Sequence, residues 1–231
     1  MRRTIRKPSA SKKAFTLIEL LVVIGIIAIL AALSLAVSGS VRKYADRTKC
    51  LANLRTVGQA VNGFANDHES TMPGPMWTWQ SCWYDEKDDS TLGHLLAPYL
   101  GQSATSETHK MMVLVCPAWQ RGAPYRQDQS WLLNTEVMVN GSPMNPWGDA
   151  DVAIEAGDDA SLDPEGAGNP KHLAQFADAP LAKTWAIQDL DAQSPVRKKP
   201  GGIAPKPVHG DKRNAIFFDW HAESVALDYK P

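Results

Sequence analysis

The chain has 231 residues, enough for one domain of ordinary size plus an appendage. Apolar residues make up 44% and charged residues 21%, a balance that excludes a disordered or low-complexity chain. The formal net charge of −1 excludes a globally basic nucleic-acid binder. The charge is uneven, because residues 1–14 carry six basic side chains and no acidic one, which leaves 18 basic against 25 acidic residues in 15–231. The overall values therefore average at least two physically different segments.

An almost continuous apolar run over residues 15–37 follows the basic segment. It is longer than the ~7–15 apolar residues of a secretory signal peptide and matches the ~20 of a membrane-spanning helix. A helix that is apolar on all sides, next to a basic tail, argues against a buried core helix. Because basic residues stay in the cytoplasm, the pattern predicts a single-pass protein whose C-terminal part lies across the membrane.

Glu19 lies inside this apolar run, where an ionised carboxylate is costly and usually marks a partner; the alternative is a hydrated carboxylate near the interface. The surrounding residues 13–22, KAFTLIELLV, resemble the class III signal of type IV pilins and type II secretion pseudopilins. The resemblance implies that a prepilin peptidase/methyltransferase cuts the 1–14 leader between Ala14 and Phe15 and N-methylates Phe15. Ala14 departs from the family, which usually has Gly there, but it is small enough for a tight protease subsite.

The resemblance also implies a function and a place in the cell. Glu19, the fifth mature residue, would pair with the N-terminal ammonium of a neighbouring pilin-like subunit. In a dry helix bundle such a pair attracts far more strongly than in water, and pairing offsets the desolvation of both groups. The implied protein is a structural filament subunit of a type II secretion or type IV pilus-like system. Its head would be periplasmic, its N-terminus cytoplasmic, and its partners other pilin-like subunits and the inner membrane, with no nucleic acid.

A helical pattern continues beyond the apolar run, since apolar or small residues recur every three or four positions as far as Phe64. We predict one helix from about Thr16 to about Asn66. Its part at 15–38 is the transmembrane or filament-core segment, and its part at 39–68 is an amphipathic continuation. Together with the resemblance, this predicts an α+β, pilin-like fold, in which the long helix packs on an antiparallel sheet of the 69–231 head.

Further elements of the head follow from shorter patterns. Residues 92–100 predict a short helix, and the apolar residues 111–115 predict a buried strand. Three more strands are predicted at 182–190, 214–219 and 222–227, with a turn between the last two. The Gly-, Pro- and Asp-rich residues 141–170 predict a surface loop, and the basic, proline-rich residues 194–208 predict a solvated loop.

Two groups of side chains are candidate metal ligands. The 141–170 loop offers carboxylates, and major pseudopilins carry a calcium site in a head loop, but the spacing matches no calcium-loop motif, which favours a solvated acidic loop. These carboxylates are Asp149, Asp151, Asp158, Asp159, Asp163 and Glu165. Near the C-terminus, zinc could be held by His209, Asp219 and His221, with Asp189 or Asp191 as further ligands; a purely structural hairpin tie is the favoured alternative. We therefore expect no cofactor.

The same C-terminal residues are similar to a family of prepilin-like proteins that end in His, nine residues and Asp-Gly. His209 and Asp219 match this spacing, but Trp220 replaces the Gly, and Trp does not readily adopt the positive φ that Gly permits. In an oxidising periplasm a disulfide between Cys82 and Cys116 is possible; with Cys50 as the third cysteine, three thiols are the alternative.

Two other functions stay open. The head could be a module that binds glycan or protein through Trp77, Trp79 and Trp83, although core packing is the favoured interpretation of these rings. It could instead be a tethered hydrolase that uses the His209, Asp219 and His221 group. The sequence shows neither a nucleophile-elbow motif nor a phosphate-binding glycine loop, so no enzyme is expected.

Overall fold

The computed structural model describes residues 15–102, 105–122, 129–156, 166–194 and 203–229, without the side chains of 34–38, 122, 130 and 156. Its helices are α1 (Leu17–Asp67), α2 (Leu92–Leu96), α3 (Pro117–Gly122) and α4 (Ala150–Ala156). Its strands are β1 (Trp79–Ser81), β2 (Trp83–Tyr84), β3 (His109–Lys110), β4 (Gln129–Leu133), β5 (Val137–Val139), β6 (Ser142–Met144), β7 (Trp185–Asp189), β8 (Lys212–Phe217) and β9 (Ala222–Ala226). The chain divides into two compact units after Arg42.

Helix α1 confirms the predicted long helix to within one residue at each end. In the second unit its buried face consists of residues three or four apart, which is the period of one helix face. These residues are Cys50, Leu54, Val57, Val61 and Ala65. The helix stops where Glu69 and Ser70 adopt left-handed conformations, and the Ser70 N–H donates to the Ala65 carbonyl at 2.8 Å.

The first unit contains the N-terminal part of α1. The large apolar side chains from Phe15 to Leu33 are exposed, with exposed fractions between 45% and 82%. The membrane span predicted over 15–38 is not found: within the described ranges, no helix is both long enough and apolar enough to cross a membrane.

A five-stranded antiparallel sheet in the order β1-β4-β7-β8-β9 forms the centre of the head. It confirms the predicted α+β class, a long helix packed on an antiparallel sheet. The last three strands lie at the predicted places along the chain. Two separate two-stranded antiparallel sheets, β2-β3 and β5-β6, lie outside it.

Two predicted elements of the head are wrong. The apolar run at 111–115 forms a 3₁₀ helix over Met112–Leu114 rather than a strand, because an apolar run without a period is compatible with any buried segment. The 141–170 segment contains β6 and α4 rather than a continuous loop. The Asp149 carboxylate starts α4 by accepting the N–H groups of Asp151 and Val152 at 3.0 and 3.4 Å. Residues 157–165 of this segment, and 195–202 of the proline-rich loop, lie outside the described residues.

Helix α1 approaches the sheet closely at Gly58. A Cβ atom at this position would lie 2.0 Å from Cδ1 of Ile216, a fully buried residue of β8, and 3.4 Å from the Trp220 ring. The missing side chain therefore lets the helix lie directly on β8. Gly58 is therefore a packing position between the helix and the sheet.

The turn between β8 and β9 has three residues, Phe218, Asp219 and Trp220. The Trp220 N–H donates to the Phe217 carbonyl, and the Phe217 N–H donates to the His221 carbonyl, both at 2.9 Å. In such a turn the third residue is left-handed, a conformation that favours Gly, and Trp220 adopts it with φ of 67°. The turn predicted between the last two strands is thus present, with the tryptophan in the strained position.

This strain is measurable by comparing two substitutions at Trp220. Both Trp220→Ala and Trp220→Gly remove the ring that packs on Phe218 and faces Gly58. Only glycine also removes the left-handed strain, so the Gly variant should be more stable than the Ala variant by about 1 kcal/mol. Chemical unfolding of both variants measures the difference. An Ala variant as stable as the Gly variant would show that the turn relaxes instead.

Candidate functional site

The start of α1 is the first candidate site, and Ala14 itself lies outside the described residues. The Glu19 carboxylate accepts the Thr16 N–H at 2.9 Å and the Thr16 hydroxyl at 2.8 Å. In return, the Glu19 N–H donates to the Thr16 hydroxyl at 3.3 Å. This reciprocal arrangement is a capping box, which satisfies the exposed N–H groups of the first turn. Glu19 therefore has a local structural role beside the predicted intersubunit one.

A second candidate site is a buried cluster in the head, built from four separate parts of the chain. Cys50 lies on the buried face of α1, and Cys116 directly precedes α3. Asp189 is the last residue of β7, and His209 lies in the turn before β8. Their four ligand atoms all lie within 4.8 Å of one another. The two cysteines are 0% exposed, and the side chains of Asp189 and His209 are 3% and 2% exposed.

The distances inside the cluster are short and converge on shared atoms. Nε2 of His209 lies 3.3 Å from Sγ of Cys116 and 3.5 Å from Oδ2 of Asp189. The Cys50 thiol donates to Oδ1 of Asp189 at 3.5 Å. One imidazole nitrogen thus faces both a sulfur and a carboxylate.

Neighbouring groups hold these side chains in place. The Asn214 N–H donates to Oδ2 of Asp189 at 2.7 Å, and the Asn214 side-chain amide donates to the Arg47 carbonyl of α1 at 3.4 Å. The Asp189 carboxylate is therefore held in place by a neighbour that is itself hydrogen-bonded to α1.

Burial and mutual contact shift the pKa values within the cluster. The hydrogen bond between the two thiols holds the pKa of Cys116 well below its ordinary value and raises the pKa of Cys50 well above it. Burial raises the pKa of Asp189 to about 7. Burial alone would lower the pKa of His209, but Cys116 and Asp189 outweigh it and raise that pKa. The shifts thus come from desolvation and from the close contact of these ionisable groups.

The cluster contains one of the three predicted metal candidates. His209 belongs to it, whereas Asp219 and His221 lie at the β8–β9 turn, where Nδ1 of His221 contacts Oδ1 of Asp219 at 2.5 Å. In the described residues, these three side chains do not form a joint metal-binding group. The hydrolase hypothesis required these three side chains to form one group, so the structure does not support it.

The predicted disulfide is not formed in the structure. Cys82 and Cys116 are both thiols, and Cys116 contacts Cys50 and His209 instead. Asp189 was predicted as a possible ligand beside His209, but Cys50 and Cys116 were not, because nothing in the spacing along the chain joins them to this site. The sequence signal that Cys50 is buried was weak, since it consisted only of the helix face that Cys50 shares with Leu54.

A buried ion pair lies next to the cluster, two residues beyond Asp189. Nε of Arg213 lies 2.7 Å from Oδ2 of Asp191, and Nη2 lies 3.1 Å from Oδ1. Nη1 also donates to the Leu227 carbonyl at 3.1 Å. Both side chains are at most 3% exposed, and Asp191 thus supports β8 rather than a metal.

The remaining candidates do not gather into a site. Asp149 caps α4, Asp158, Asp159, Asp163 and Glu165 lie outside the described residues, and no group with Asp149 or Asp151 is found among the described ones. Trp77 and Trp79 line a cleft of about 180 Å³ with Ser81, Asp88, Thr91 and Gln129. Trp83 lines no part of this cleft, so the three rings form no common platform. Glycan binding stays a prediction.

Comparison with known proteins bears on the first site. Residues 9–35 match the family model described as the prokaryotic N-terminal methylation motif. The chain carries a type IV pilin-like prepilin signal. The prepilin signal includes Phe15 and Glu19, and it ends well before the head. No curated protein and no solved structure gives a significant match to the chain. The His–nine–Asp-Gly resemblance of the head stays a prediction.

Proposed function

We propose that this protein is a structural subunit of a type II secretion or type IV pilus-like filament. It is cut between Ala14 and Phe15, N-methylated on Phe15, and anchored in the inner membrane with a periplasmic head. The match of residues 9–35 to the methylation motif carries this proposal. Its partners are a prepilin peptidase/methyltransferase and other pilin-like subunits. No enzymatic activity is assigned to the head.

The start of α1 supports the proposed cut. Phe15 and Thr16 precede the helix, and the Thr16–Glu19 capping box fixes its first turn. Removing the leader also removes six basic residues and leaves an acidic protein. The new N-terminal ammonium would lie a few residues from the Glu19 carboxylate.

The exposed side chains of the first unit support assembly. The large apolar residues from Phe15 to Leu33 are 45–82% exposed around the helix, more apolar surface than a soluble monomer normally leaves in water. Lipid, or equivalent helices of neighbouring subunits, would cover this surface. A filament core built from α1 helices does so without involving the head.

Intact-mass and N-terminal peptide mass spectrometry of the membrane-extracted protein tests the proposed processing. We expect a chain that begins with N-methylated Phe15, because the signal is complete apart from Ala14. As matched variants, Ala14→Gly restores the family residue and should be cut at least as fully. Ala14→Trp should block the cut, because a large ring does not fit a small-residue subsite.

A protein that keeps Met1, or that begins at any residue other than Phe15, would contradict the proposal. Full cleavage of the Ala14→Trp variant would also count against a prepilin peptidase as the processing enzyme.

A further inference from the structure

Four side chains of three chemical types meet in the interior of the head, and the filament function does not use them. We propose that Cys50, Cys116, Asp189 and His209 bind a structural Zn²⁺ ion. The inference is independent of the proposed filament function, since all four residues lie in the head unit beyond the matched motif.

The spacing of the ligand atoms agrees with tetrahedral coordination. Zinc bonds of about 2.0–2.3 Å place the ligand atoms of a tetrahedral site about 3.3–3.8 Å apart. The distance from Sγ of Cys116 to Nε2 of His209 is 3.3 Å, and the distances from Nε2 of His209 to Oδ2 of Asp189 and from Sγ of Cys50 to Oδ1 of Asp189 are both 3.5 Å. One ligand atom of each residue lies within 4.8 Å of the other three, close enough for all four to share one ion.

The donor set favours zinc over other biological cations. Two sulfurs, one imidazole nitrogen and one carboxylate oxygen are the donors that tetrahedral zinc takes, whereas calcium and magnesium require oxygen ligands only. Four protein ligands complete the coordination and leave no position for a substrate, as in structural zinc sites. Both thiols would release their protons and bind as thiolates, so the bound ligands would carry the negative charge that attracts the cation.

The same residues do not form a cysteine–histidine catalytic site. In a catalytic triad the histidine faces the nucleophile with one ring nitrogen and the carboxylate with the other. Here Nε2 of His209 faces both Cys116 and Asp189. Cys116 is also 0% exposed, so no substrate reaches its sulfur. Several groups aimed at one point are typical of coordination rather than of proton relay.

The second layer around the cluster matches that of a built metal site. Asn214, itself 0% exposed, donates its backbone N–H to the Asp189 ligand at 2.7 Å, and its side-chain amide donates to the Arg47 carbonyl of α1. Outer groups of this kind orient metal ligands and raise affinity.

The ion would join parts of the chain that are far apart in sequence. Cys50 lies on α1 and Asp189 lies at the end of β7, while Cys116 and His209 come from two loops. Zinc therefore stabilises the contact between the long helix and the sheet, since a bound metal contributes its binding free energy to folding.

Metal analysis of the full-length protein in detergent tests the site. After expression with added zinc and dialysis, we expect about one zinc ion per chain. Replacing zinc by Co²⁺ in the wild-type protein should give thiolate-to-cobalt charge-transfer bands and the intense visible bands of tetrahedral cobalt. This spectrum needs no variant, so the test stands even if a variant fails to fold.

Single cysteine variants locate the ion. Cys50→Ser and Cys116→Ser should lower zinc to about a tenth of the wild-type content or less, because loss of a thiolate ligand removes most of the affinity. Cys82→Ser is the matched control: Cys82 is also buried, at 1% exposure, but lies outside the cluster, and this variant should keep its zinc. A chelator should lower the melting temperature of the wild type and of Cys82→Ser only.

Three results would overturn the zinc site. The first is a wild-type protein without zinc in which thiol alkylation and mass spectrometry reveal a Cys50–Cys116 disulfide. The second is a cobalt spectrum without charge-transfer bands. The third is equal loss of zinc in all three cysteine variants, which would indicate unfolding or adventitious binding rather than this cluster.

Discussion

A Glu19→Gln variant should be cleaved and methylated normally, yet enter filaments at least tenfold less than the wild type. Glutamine keeps the side-chain oxygen that accepts the Thr16 N–H, so the capping box survives and the helix start is preserved. What is lost is the negative charge. Two unit charges 4 Å apart attract by about 4 kcal/mol at an effective dielectric constant of about 20. Even if desolvation cancels over half of this, about 1.4 kcal/mol remains, which is tenfold in assembly.

Comparison with Glu19→Ala separates the two roles of the side chain. Alanine removes both the charge and the cap, so it should assemble no better than glutamine. The measurement is the fraction of head antigen in sheared filaments, at equal amounts of processed subunit in the membrane. If Glu19→Gln assembles like the wild type while Glu19→Ala does not, the carboxylate acts as a helix cap, and its proposed pairing with a neighbouring N-terminus is wrong.

The second large effect is expected at the buried Arg213–Asp191 pair. Asp191→Asn should lower the free energy of unfolding by about 3–5 kcal/mol, because it leaves the guanidinium buried opposite a neutral amide. The pair forms two charged hydrogen bonds, of 2.7 and 3.1 Å, and its side chains are at most 3% exposed. Breaking a pair of this kind has the largest effect on the free energy of unfolding. Chemical unfolding of the full-length protein, followed by the fluorescence of its eight tryptophans, gives the value.

The double variant Asp191→Leu with Arg213→Met is the matched control. It removes both charges and keeps similar volume, so it should be less destabilised than Asp191→Asn alone. A loss below about 1 kcal/mol in Asp191→Asn would show that water reaches the guanidinium, as at surface pairs. The control also distinguishes a lost ion pair from lost packing, since Asn has the shape of Asp and packing changes only in the double variant.

Regular elements with a clear period were predictable from the sequence. Helix α1 was predicted to within a residue because residues from Cys50 to Ala65 repeat every three or four positions. The strands β7, β8 and β9 were found at their predicted places. The segment at Met112–Leu114 was not, because a short apolar run has no period that separates a strand from other buried structure.

The two candidate sites differ in how much of them the sequence could reveal. The signal around Phe15 and Glu19 is a contiguous motif, so its residues are recognised without any knowledge of the fold. Trp220 illustrates an intermediate case: the pattern of the two flanking strands predicted the turn, but only the structure showed tryptophan in the left-handed position that glycine usually occupies.

By itself, the sequence determined what depends on neighbours along the chain: the basic leader, the apolar run with its single acid, the long helix and the prepilin signal. Only the tertiary structure decided what depends on contacts across the fold. In the structure Cys116 lies beside Cys50 rather than beside its expected partner Cys82. Among the described residues, His209 does not form a group with Asp219 and His221. The physical reason is that the cluster joins a helix, a strand end and two loops, and the packing of α1 on the sheet, not spacing in sequence, brings Cys50 to Asp189.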